Sequence, residues 1–246
     1  MLILAGDTSN TACSCCLMED DHVIAESFLS VGLTHSETFM PMIHDMMQTA
    51  GRRYGELDAF ACSIGPGSFT GIRIGVSAMK TMAMVANKPI VPVSSLLALS
   101  LPYRAQTKTP VAALINARNR RVFAAAYDKD TETIREAALS IEDFARACRE
   151  NFGPRELILC GDAADLYADD AVFAEFTICR TGARGREIHA SCVAEIARRS
   201  LVESASSSDS LPREVWEQAF SPDALLPVYR VKTAAERALL KGESIT

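Results

Sequence analysis

The sequence predicts an α/β protein in two lobes, and three observations carry that expectation. Short apolar runs of strand length alternate with longer runs at helical spacing, the pattern of strands interleaved with helices. A trio of strands opens the chain, before any helix. Polar residues at 103–108 then divide 246 residues into two parts, each long enough for a core.

The elements follow in order. LILAGD (2–7), ACSCCLM (12–18) and HVIAESFL (22–29) read as strands. They are joined by DTSNT and EDD, turns of the residue types that hydrogen-bond their own backbone. Thr34 and Glu37 stand at capping-box spacing before FMPMIHDMMQTA, which Gly51 ends. Pro41 interrupts that run, so the helix is expected to start late or to kink. LDAFACSIG is a buried-type strand, followed by a glycine-rich loop, a helix over 70–87 stopped at Lys88-Pro89, and the strand PIVPVSS. In the second half TPVAALINAR and VFAAAYD form a strand pair, and IEDFARACRENF a helix closed by Gly153. ELILC is a strand entering the turn GDA, and HASCVAEIARRSLVE a helix. SASSSDS reads as a flexible loop, and a last helix is expected over 234–241. The expected division is a first lobe at 1–103, a second at 104–220, and a terminal segment, 221–246, that returns to the first lobe.

With 48% hydrophobic and 23% charged residues, the chain reads as a soluble globular protein. A net charge of −6 argues against gripping a nucleic-acid backbone alone, since that binding comes from lysine and arginine neutralising phosphates. The opening MLILAGD has no basic flank and too short an apolar run for a signal peptide, so a cytoplasmic protein with no membrane span is expected. The eight cysteines include no C-x-x-C pair and read as buried thiols.

GPGSFTGIRIG, residues 65–75, is the most specific local signal. It fails the Walker pattern, because Thr70 or Ile72 falls where the second glycine belongs. It fails the dinucleotide fingerprint by one residue of spacing, and Ser68 lacks the flanking glycines of a hydrolase elbow. Two readings stay open: helix-terminal amides that hold an anion, or glycines that make a tight strand-to-helix turn. Along the helix, Gly71, Gly75, Ala78, Met82 and Ala86 form a mostly small line that another element can approach closely. Arg73, Ser77, Lys80, Met84 and Asn87 form a mixed line. Seven of nine methionines, at 40, 42, 46, 47, 79, 82 and 84, lie on this helix and the one before it, as core or as partner contacts.

ILAGDTSNTACSCCL, THSETFMPMIHDMM and above all SIGPGSFTGIRIGVSAMKTMA with KPIVPVSSL resemble the TsaB (YeaZ-type) family, over roughly residues 1–100. Beyond that the likeness thins to INARNRRVFAAAYD, where the family usually has Asp in place of Asn116, and to PVYRVKTAAER. The resemblance implies the two-lobed actin, sugar kinase and Hsp70-like fold with a degenerate second lobe. It implies a non-catalytic scaffold needed for threonylcarbamoyl modification of adenosine 37 in ANN-decoding tRNAs. Its implied partners are the catalytic paralogue TsaD and the ATPase TsaE, with tRNA met only through the complex, and a homodimer is expected when the chain is alone.

The resemblance also maps candidate residues. Asp7, Thr8, Ser9, Gly67, Ser68, Thr70 and Arg73 correspond to segments that hold nucleotide phosphates in active members of the fold, so ATP or ADP at the subunit interface is the cofactor to consider. Partner contacts are expected from His35, Phe39, Met40, Ile43, Met46, Met47, Arg73, Ser77, Lys80 and Met84. Ser95 and Leu99 stand where the catalytic paralogue has two metal-binding histidines, and His22, His35, His44 and His189 include no pair at ligand spacing. No metal or catalytic residue is therefore assigned. Asp162 is a candidate second acid for Asp7, or a simple turn residue. The competing reading is a nucleotide-hydrolysing or kinase-type enzyme using Asp7 with magnesium and the loop at 65–71. A glycoprotease lacks any nucleophile-base or metal constellation.

Overall fold

The computed structural model describes residues 1–31, 34–104, 107–206 and 220–229. The first lobe comprises β1 (Leu2–Asp7), β2 (Cys13–Glu19), β3 (His22–Leu29), α1 (His35–Thr49), β4 (Ala59–Gly65), α2 (Phe69–Ala86), β5 (Ile90–Ser94) and α3 (Ser95–Arg104). The second comprises β6 (Val111–Asn116), β7 (Arg121–Asp128), β8 (Thr131–Ser140), α4 (Ile141–Phe152), β9 (Glu156–Cys160), α5 (Asp162–Tyr167), β10 (Thr177–Arg180) and α6 (Ala190–Ser206). The sheets are ordered β3-β2-β1-β4-β5 and β8-β7-β6-β9-β10, so the chain runs one circuit twice. In each, an antiparallel meander continues into two parallel strands. This is the two-lobed actin, sugar kinase and Hsp70-like architecture. The second pass is the reduced one: α5 has 6 residues where α2 has 18.

The alternation of a strand's side chains sorts β1 between two cores. Leu2 and Leu4 pack with Phe39, Ile43, Met47 and Met79 from α1 and α2. Ile3 and Ala5 face the opposite way, onto Val193 and Ala197 of α6. Strand β6 divides likewise, with Ala112 and Leu114 against Phe144 of α4, and Val111 and Ala113 in the layer shared with β1. That shared layer is built by exchange. Helix α3 leaves the first sheet and packs on β6 and β7, while α6 leaves the second and packs on β1 and β2. Residues 95–103 and 190–206, expected in the first and second lobes, thus pack against the sheet of the other lobe.

Helix starts differ in a way the sequence only partly conveys. Ser68 and Ser140 cap α2 and α4, their hydroxyls accepting from the Gly71 and Asp143 amides at 3.2 and 3.0 Å. Thr34 offers its carbonyl to the Glu37 amide but no side-chain cap, so the expected capping box does not form. Pro41 lies inside α1, exposed, without ending it. Strands β8 and β10 and helix α5 were not expected. Most of SASSSDS and the helix expected at 234–241 lie outside the described residues. Among those described, no helix is long and apolar enough to cross a membrane.

Candidate functional site

The DTS turn leaves β1 at its carboxyl end, and the glycine loop leaves the adjacent β4 at the same end, so the two meet. They meet backbone to backbone. The Ser68 amide donates to the Ser9 carbonyl at 2.7 Å, and the Thr8 hydroxyl donates to the Gly71 carbonyl at 2.7 Å. A Cβ on Gly67 would collide with the Ser9 carbonyl oxygen, and one on Gly71 or Gly75 with Thr8. The small line on α2 is therefore the seat of this turn. The turn and loop thus pack directly on one another and use the Ser68 amide, while Gly67 and the exposed Ser68 still line the open cleft between the lobes.

Asp7 is sealed in the same way. Its Oδ1 accepts from the Ser9 hydroxyl at 2.6 Å and from the Ser9 amide at 3.3 Å. The Ser9 hydroxyl in turn accepts from Ser95 at 2.9 Å. Asp7 Oδ2 and the Ser63 hydroxyl are buried without a hydrogen bond of good geometry among the described residues, yet Ser63 lies close enough to favour the charged carboxylate alongside Ser9. Burial pushes the Asp7 carboxyl above the usual range, against the opposing bonds from Ser9. Leu99, at the second position compared with the paralogue's histidines, is buried in the shared core.

Between the lobes lies a cleft of about 640 Å3, lined by Asn10, His35 and Phe69 on one side and by Asn116, Arg118 and Asp162 on the other. The His35 Nε2 lies 2.8 Å from the Asn10 carbonyl, which places this residue at the cleft. Asp162 Oδ1 accepts from the Asn116 amide at 2.9 Å, and burial raises its carboxyl above the ordinary range. It is the first residue of helix α5, not a turn residue, and it makes no hydrogen bond with Asp7. Residues 187–188 tie the second half of the chain to the first sheet, where the Ala12 amide donates to Glu187 at 3.3 Å and the Ser14 hydroxyl donates to the Ile188 carbonyl at 3.0 Å.

The expected partner face separates into two sets. Phe39, Ile43, Met46 and Met47 are 0 to 4% exposed and form the core between the helices and the first sheet, so they present nothing to a partner. Met40, Arg73, Ser77 and Met84 are exposed, Lys80 is half-buried, and Val85 beside Met84 is 84% exposed. Periodicity marked a stripe on α1 but not which side it faced. Thr70 is exposed at the start of α2.

Residues 220–229 lie along this face. Leu225 is buried in the first lobe's core, and the Val228 amide donates to the Ile64 carbonyl at 2.8 Å. The segment ends at Tyr229, whose ring lies 4.9 Å from that of Phe69 and whose hydroxyl accepts from Arg73 Nε at 2.9 Å. Phe69 and Tyr229 were missed as surface residues, because their meeting spans 160 positions. The eight cysteines are unpaired, six of them buried. Burial pushes the Cys13 thiol up to about 11 and Cys15 up to about 12, so these sulfurs stay protonated and inert.

The comparisons agree with this architecture. Two solved structures from Pseudomonas aeruginosa share the fold: an uncharacterized protein with similarity to peptidase YeaZ (TM-score 0.71, 24% identity, 94% of this chain and 99% of that one) and YeaZ (0.69, 22%, 93% and 99%). By sequence, the chain is 37% identical over 135 residues to the tRNA threonylcarbamoyladenosine biosynthesis protein TsaB of Escherichia coli strain K12, covering 54% of this chain and 58% of that protein. It is 35% identical over 127 residues to TsaB of Bacillus subtilis strain 168, covering 52% and 55%. The chain thus spans a little over half the length of the curated relatives it matches. The family described as "TsaD: tRNA N6-adenosine threonylcarbamoyltransferase" matches residues 30–155, about half of this sequence. On the family match, the TsaB relatives and the shared fold, the chain belongs to the TsaD family and is a TsaB/YeaZ-type protein.

Proposed function

We propose that this chain is a non-catalytic, cytoplasmic subunit of the machinery that places threonylcarbamoyl on adenosine 37 of ANN-decoding tRNAs. It docks a TsaD-type catalytic paralogue through the exposed face of α2 and helps bring in a TsaE-type ATPase. Without that partner the same apolar face favours a homodimer. One observation carries the reading: the glycine loop is packed tightly against Thr8 and Ser9, while Met84 and Val85 stand in solvent on the helix that follows it. A chain with its glycine loop packed closed and an apolar helix face open is built to be held by another protein. Its relatives' names tie that role to threonylcarbamoyladenosine.

The test is threonylcarbamoyladenosine formation on tRNA in a reconstituted reaction with the catalytic paralogue, the ATPase subunit and the threonylcarbamoyl-adenylate donor. Product is expected only when this chain is present, to persist with Asp7→Asn, and to be lost with Met84→Glu. Full activity without the chain would refute the proposal. The interlobe cleft favours a second reading, a nucleotide bound outside the sealed turn. Calorimetric titration of the isolated chain with millimolar ATP and magnesium decides it, and no heat would remove that reading together with the kinase-type alternative.

A further inference from the structure

We draw no further inference here: the strongest candidate, the cleft between the lobes where Arg118 faces His35 and Phe69, belongs to the site already described, and a phosphate held there restates the nucleotide reading given above.

Discussion

The two lobes run the same circuit of strands and helices, yet they meet their surroundings differently. The second lobe is dressed in ion pairs. Arg120 bridges Glu142 and Asp170, Arg149 pairs with Glu175, Arg155 with Asp128, Arg180 with Asp169 and Arg186 with Asp165. Helices α1 and α2 of the first lobe have none among the described residues and expose Met40, Phe69, Met84 and Val85 instead. One surface carries paired charges and the other exposed apolar side chains. With topology shared, the difference lies in which side chains were placed on the outer helices, so likeness of fold between the lobes says little about likeness of role.

The comparison breaks most readily in the first lobe's core. Phe39→Ala should cost about 3–5 kcal/mol, since Phe39 is fully buried against Gly6 and Met79. Denaturant unfolding measures it, and a loss under about 1 kcal/mol would place Phe39 on a surface after all. Met46→Glu belongs with it: Met46 is 4% exposed, so the variant should unfold rather than merely lose a partner.

A smaller effect runs through Asp7. Burial holds its carboxyl above the ordinary range, so the folded chain keeps a proton that the unfolded chain releases near pH 4. Wild-type stability therefore falls as pH rises from there. Asp7→Asn removes that dependence, so the variant should gain stability relative to wild type as pH rises above about 4. Melting temperatures across that range test the sign. A variant that instead falls behind wild type as pH rises would show that the carboxylate is stabilised in the fold. Smallest of all is Arg149→Ala in the second lobe, which breaks an exposed pair and should cost about 0–1 kcal/mol with no change in partner affinity. A tenfold change in that affinity would undo the contrast between the lobes.

Elements with a strong pattern were legible beforehand. β1 is a continuous apolar run, α4 has Ser140 and Gly153 at its ends, and α2 begins within one residue of its expected start. β8 was not legible, because TETIREAALS is mostly polar or half-exposed on the sheet's edge, nor was α5, too short for periodicity to show. The glycine loop was readable as a tight turn, and the reason for its glycines was not. Ser9 and Gly67 are 58 positions apart, and only the folded chain brings one carbonyl over the other. The methionines misled for a related reason. Spacing identifies a face of a helix, whereas burial depends on the sheet that the helix lands on.

The exchange of α3 and α6 bears on how the chain is made. The inner face of the first sheet is covered by α6, which begins at Ala190, more than ninety residues after the sheet's last strand ends at Ser94. During synthesis at roughly 5–20 residues per second, Ile3, Ala5 and Val91 therefore wait several seconds without their cover. A ribosome stalled before α6 would display a completed sheet with a bare apolar back. The chain should engage chaperones early, and severing it between the lobes should leave two fragments that each lack the helix the other holds.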